Sequence, residues 1–230
     1  GGFVDTYKLG NLRVVDLTKP LDPETEKRRC HIFRFNTGGP IPDFHTNLDL
    51  TTHLGTHVEC PYHHEDDWPD ASFLPLTSFM GRAIYVNISE LSPNEYITPE
   101  VLEKACEGKL KEGDIVLLDS PYKIPPFTEK TNSVEDKRLL INRETAIWLR
   151  DQKVKCVGFG DGVSIENNNE DVSAFHDVLM AENVVFLEVL KNLELLEKEI
   201  FFMSYSPLYI KGIDSSPVRA YAIEGITEFS

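Results

Sequence analysis

The sequence predicts an α/β fold in which a partly parallel sheet carries helices and an added layer of antiparallel strands. Two observations predict it. From Thr98 onward, three helix-patterned segments each lead into an apolar run of strand length: TPEVLEKACEG into DIVLLD, NRETAIWLRDQ into VKCVGF, and SAFHDVLMAEN into VVFLE. Repeated helix-to-strand steps favour parallel pairing. Before Thr98 and after the last helix, short β-like runs alternate with turn residues. The 230 residues contain no internal repeat, low-complexity tract or linker rich enough to divide them. Residues 1–230 are therefore read as one domain, long enough to bury a sizeable core.

The elements follow in order. RVVDLT around Val14 and HIFRF around Ile32 read as strands, and the charged DPETEKRR between them reads as a loop. AIYVNI, from Ala83 to Ile88, is the next strand. Thr98 is an N-cap, Pro99 suits the first helical position and Gly108 is a stop. DIVLLD, from Asp114 to Asp119, has the unbroken apolar texture of a buried strand. Asn142 caps the second helix. Ser173 is expected to cap the third, which puts His176 in its first turn. Glu188 ends the strand VVFLE, and EIFFMSYS and VRAYAIEG close the chain as strands.

Charge and cysteines narrow the class. Lys and Arg number 23 against 38 Asp and Glu, a net charge of -15. Such a surface repels phosphate backbones and anionic membranes, so neither nucleic acid nor a membrane is an expected partner. No apolar run approaches the length that crosses a bilayer, and no basic-then-apolar leader is visible. Cys30, Cys60, Cys106 and Cys156 lie far apart with no CxxC pair. This argues for reduced, buried thiols and a cytoplasmic location.

The chemistry concentrates in HLGTHVECPYHH, which packs four of the seven histidines into His53–His64. His53, His57, Glu59 and His63 are all odd-numbered, so an extended segment would project them from one face. A straight strand, however, separates residues four apart by roughly 13 Å. Imidazoles sharing a metal need bonds of about 2 Å. Gly55 and Pro61 disfavour a long helix, leaving a tightly bent backbone kinked at Gly55. The bland alternative is a set of solvated histidines beside the acidic EDDWPD loop. A nucleophilic Cys60 is a poorer reading, because adjacent residues on an extended segment face opposite ways. Imidazoles with a carboxylate suit zinc or manganese. Three histidines and a carboxylate exceed what one catalytic metal requires, so either one histidine is a general acid/base or two metals bind. His176 and Glu188, near helix start and strand end, are candidate further contributors.

HLGTHVECPYH resembles the signature H-x-G-T-H-x-D-x-P-x-H of the cyclase-type metal-dependent hydrolases, which include bacterial kynurenine formamidases and isatin hydrolases. It matches at His53, Gly55, Thr56, His57, Pro61 and His63, with Glu59 where the family has Asp. VVDLTKPLDPET, PLTSFMGRAIYVNIS, EGDIVLLDS, SAFHDVLMAENVVFLEVLKNL and PLYIKGIDSSPVRAYAI resemble further family segments, so the likeness spans most of the chain.

The resemblance implies a three-layer β/β/α domain of swivelling type with a mixed sheet, forming dimers or larger homo-oligomers. It places His53 and His57 on a first divalent metal, with Glu59 in the bridging position. His176 would bind a second ion, and Glu188 would bridge or complete the shell. His63 falls where the family has its proton donor and acceptor. Zinc is the expected metal and manganese the alternative, as one or two ions. The implied reaction is hydrolysis of a small molecule's amide or cyclic amide C–N bond through metal-activated water. An ester or lactone hydrolase at the same site, or a non-catalytic metal-stabilised binding protein, are the alternatives. Two departures stand out. Glu59 is one methylene longer than Asp. The loop in which kynurenine formamidases carry Trp-Pro-Gly reads DPETEKRRCHIF here, without Trp, which argues against N-formylkynurenine.

Overall fold

The computed structural model describes residues 4–124, 135–166 and 168–230. The first strands are β1 (Thr6–Leu9), β2 (Leu12–Asp16), β3 (Cys30–Asn36), β4 (Phe44–Leu50) and β5 (His57–Glu59). Next come β6 (Met80–Asn87), β7 (Ile115–Asp119), β8 (Leu139–Leu140), β9 (Cys156–Phe159) and β10 (Val163–Ser164). The chain closes with β11 (Val185–Glu188), β12 (Ile200–Ser204), β13 (Ser215–Pro217) and β14 (Tyr221–Glu224). The helices are α1 (Pro99–Cys106), α2 (Arg143–Asp151) and α3 (Asn169–Met180).

Among the described residues the main sheet has ten strands in the order β1-β2-β14-β12-β6-β7-β9-β11-β5-β13. β6, β7, β9 and β11 pair in parallel, and α1, α2 and α3 are their crossovers. The other pairs in the sheet are antiparallel. Every residue of β7 is buried, because this central strand packs on both faces. Val116 and Leu118 point into the core beneath the helices, with Val157, Phe159, Phe175 and Phe186. Ile115 and Leu117 alternate into a second core. That second core draws Val15, Ala222 and Phe201 from one wing of the sheet and Val58 and Leu187 from the other. The sheet therefore curls until its wings face each other, with the helices outside. This is the predicted β/β/α layering.

The caps explain where the helices begin. Thr98 accepts a hydrogen bond from Val101 N, with Pro99 at the first position, and Asn142 and Thr145 form a reciprocal capping box. The third helix departs from the sequence expectation. Ser173 lies inside α3, and Asn168 is the cap, its Oδ1 accepting from Asp171 N at 2.8 Å. The apolar stripe explains the earlier start. Val172, Phe175 and Leu179 follow helical spacing, and continuing it toward the N-terminus carries the helix past Ser173. His176 consequently sits in the second half of α3, not in its first turn.

HIFRF is a strand as expected, within β3 of the β3–β4 hairpin that lies outside the main sheet. The short strands β5 and β13, on the sheet edge that carries the site, escaped the periodicity reading because they are only three residues long.

Candidate metal centre

Gly55 turns the chain sharply into β5. Its φ of +54° is left-handed, a backbone conformation that favours glycine. Two residues later the chain is extended, which puts His57 and Glu59 on one face of β5 while Val58 enters the second core. Antiparallel pairing sets Glu188 directly opposite His57. A 3-10 turn at Pro61–His63 folds His63 back, and α3 supplies His176 from the helix layer. The bent backbone anticipated from spacing is thus a kink, a short strand and a turn in succession.

These elements bring all six sequence-named residues together. His53 Nδ1 lies 3.1 Å from Glu59 Oε1, and His57 Nε2 lies 3.4 Å from the same oxygen and 3.0 Å from Glu188 Oε2. On the other side, Glu59 Oε2 faces His176 Nε2 at 3.4 Å and His63 Nε2 at 3.8 Å. A donor set joins His53 and His63 to Asp214, and two more are built from the six residues alone, His53–His57–Glu59–Glu188 and Glu59–His63–His176, each with ligand atoms within 4.8 Å of one another. Glu59 belongs to both of the latter. His63, the expected proton carrier, is the more exposed member of the last set. The cleft above them has a volume of about 330 Å³ and is lined also by Arg28, Ile165, Val172 and Val189.

Backbone carbonyls fix two of the rings. His57 Nδ1 donates to Gly55 O at 2.8 Å and His176 Nδ1 to Val172 O at 2.7 Å, so each presents Nε2 to the carboxylates. Asp214 was missed by the sequence reading. Its Oδ2 lies 2.8 Å from His53 Nε2 and 3.1 Å from His63 Nδ1. The signal available was a single acid within KGIDSSPVR, with nothing in the spacing to connect it to residues more than 150 positions earlier. His64 lies behind the site, bonded to Asp177 Oδ1 at 2.5 Å with its ring 5.5 Å from that of His176. Cys60 is buried, and desolvation pushes its thiol up to about 12, which leaves it a packing residue.

The electrostatics are those of crowded, unbalanced charge. Burial alone would depress His53 and His57, but the hydrogen bonds that His53 donates to Asp214 and Glu59, and His57 to Glu188 and Glu59, push them up to about 9 and about 10. Glu188 is desolvated and stands beside Glu59, which pushes it up to about 7. Burial would raise Glu59 too, yet its contacts with Glu188 and the imidazoles hold it well below the usual carboxylate range. One atom does not fit this protein-only network. Glu59 Oε2 is buried and accepts no hydrogen bond among the described residues. A divalent cation fits that orphaned oxygen, and the surrounding imidazole nitrogens and carboxylates are a donor set suited to zinc or manganese.

Residues 15–167 match the family model described as "Putative cyclase". The chain belongs to the cyclase family. A kynurenine formamidase of Salinibacter ruber is 31% identical over 176 residues, covering 76% of this chain and 77% of the relative. Cyclase-like protein 2 of Oryza sativa subsp. japonica is 27% identical, over 78% of this chain and 65% of its own length. Among solved structures, isatin hydrolase A from Labrenzia aggregata superposes with a TM-score of 0.75 at 21% identity, covering 93% of this chain and 94% of that one. This likeness establishes the fold that the sequence predicted. Within this cyclase-family chain the matched region holds the His53–His63 stretch, whereas His176, Glu188 and Asp214 lie C-terminal to it.

Proposed function

We propose that the chain is a metal-dependent hydrolase that cleaves the C–N bond of a formamide or cyclic amide. In this reading a divalent metal, zinc or alternatively manganese, is held by His53, His57, Glu59, His176 and Glu188 as one or two ions. The observation that carries the proposal is the buried, unbonded Oε2 of Glu59, where two donor sets meet at the base of an open cleft. A metal bound there lowers the pKa of a water molecule and polarises a carbonyl oxygen.

The chain's own residues supply the rest. His63 Nε2 faces the cleft beside Glu59, so His63 takes the proton from the attacking water and delivers it to the leaving nitrogen. Val172, Ile165 and Val189 give the cleft an apolar wall for a small substrate. The relationship to kynurenine formamidases supports a formamide substrate. Arg28 also lines the cleft, its Nη1 donating to His53 O at 3.0 Å.

Relative kcat/KM over a panel of formamides (N-formylkynurenine included), cyclic amides and lactones tests the reaction class. Turnover of an amide that falls on chelation and returns with zinc or manganese is expected. Preference for lactones would move the activity to esters, and no turnover with metal bound would leave a binding protein.

The same reading includes a homo-oligomer and a cytoplasmic location. The β3–β4 hairpin exposes the cross-strand pair Ile32 and Leu48 on one face and Phe33 on the other, apolar groups suited to contact with a second copy of the chain. The four cysteines are free and buried, and among the described residues no helix is long and apolar enough to cross a membrane.

A further inference from the structure

We infer that Asp214 is a positioning residue that sets the tautomers of two site histidines at once, His53 for metal binding and His63 for proton transfer. The inference rests on the metal-centre reading above. All four site imidazoles have one nitrogen toward the carboxylates and the other held from outside. For His57 and His176 the outer partner is a backbone carbonyl. For His53 and His63 it is one carboxylate oxygen, Asp214 Oδ2, at 2.8 Å from His53 Nε2 and 3.1 Å from His63 Nδ1.

An ionised carboxylate only accepts, so each imidazole must turn an N–H toward it. This puts the proton of neutral His53 on Nε2, leaving Nδ1 a lone pair directed at Glu59. It puts the proton of neutral His63 on Nδ1, leaving Nε2 as the atom that takes and gives protons in the cleft. The two rings are required in opposite tautomers, and one oxygen imposes both.

Asp214 is itself built into place. Its Oδ1 accepts from Thr52 Oγ1 at 2.9 Å, and Ser215 Oγ donates to Oδ2 at 3.3 Å. Its own carbonyl accepts from Cys60 N at 2.8 Å, tying it to the chain between Glu59 and the His63 turn. β13 begins at the next residue and pairs with β5, so Asp214 is registered against the strand that carries His57 and Glu59. A carboxylate bonded to a ligand's second nitrogen orients the ring and raises its basicity, and losing such a partner costs roughly 10–100-fold in metal affinity or activity.

The test compares wild type, Asp214→Ala, Asp214→Asn and His53→Ala as zinc-loaded full chains. Long-range 15N–1H spectra should place the His63 proton on Nδ1 in wild type and move it to Nε2 in Asp214→Ala. Competition with a chelator should show zinc affinity lower by roughly 10–100-fold in Asp214→Ala, less than in His53→Ala. On the best amide of the panel, kcat should fall at least about tenfold with KM changed less. Asp214→Asn should lose part of both effects, since its single carbonyl oxygen competes with an amide group that donates. A His63 proton already on Nε2 in wild type overturns the inference. So does zinc loss from Asp214→Ala as complete as from His53→Ala, which would make Asp214 a ligand. If no amide is turned over, the hydrolase reading fails separately, and the spectra and zinc affinities still decide this one.

Discussion

Two buried carboxylates in the same sheet have opposite surroundings. Asp119, at the end of β7, is fully buried and fully bonded: Tyr85 Oη and Lys123 Nζ reach Oδ2 at 3.0 Å each, and Ser120 N and Gly162 N reach Oδ1 at 2.8 and 3.0 Å. Glu59, at the end of β5, is nearly as buried, yet one oxygen accepts no hydrogen bond and a second carboxylate stands against it. Burial therefore does not distinguish a site from a structural post. Between these two carboxylates the difference is satisfaction: every oxygen of Asp119 is bonded, whereas Glu59 leaves one without a partner amid imidazoles that can share a metal with it.

The comparison yields substitutions with opposite signatures. The largest effect is expected at Glu59. Glu59→Ala should weaken zinc binding by more than about 100-fold, beyond the range for loss of an outer partner, without lowering the melting temperature of the metal-free protein. Chelator competition and calorimetry read the two quantities, and a metal-free protein that unfolds would make Glu59 a post like Asp119.

Asp119→Ala should do the reverse. It strands Tyr85 and two backbone N–H groups and should cost about 3 kcal/mol in urea denaturation while zinc affinity holds.

A smaller, directional effect concerns pH. His53 and His57 are raised from 6.5 to about 9 and about 10, and Glu188 from 4.5 to about 7. Each takes up protons more readily when folded, so the stability it contributes is full below its unfolded pKa and lost as pH rises through the folded one. The metal-free protein should lose stability from about pH 5 upward. Zinc binding displaces those protons, so the stabilisation conferred by zinc should grow over the same range. Melting temperatures with and without zinc across that range check both signs, and a metal-free optimum at alkaline pH would contradict the protonation assigned to the site. Smallest is Tyr85→Phe, which removes one of four donors to Asp119 and should cost about 1 kcal/mol with metal binding untouched.

What the sequence revealed followed from how local each feature is. His53, His57, Glu59 and His63 share one short stretch, so parity, bond lengths and Gly55 sufficed to foresee a bent site. The helix-to-strand steps gave the parallel centre, because an apolar run after a capped helix depends on few neighbours. The start of the third helix is less local: Ser173 is as good a cap by type as Asn168, and only the packing of Val172, Phe175 and Leu179 decides between them. Asp214 was out of reach for a different reason. Its role comes from strand register across more than 150 residues, and an acid in a turn has many bland explanations.

Metal analysis of the chain after zinc loading and removal of free ion, beside Glu59→Ala treated identically, tests the central claim most directly. Stoichiometric zinc in the wild-type chain, and its loss from the variant, is the predicted result. A wild-type chain that retains neither zinc nor manganese, or a variant that retains as much as wild type, would contradict the metal centre built on Glu59.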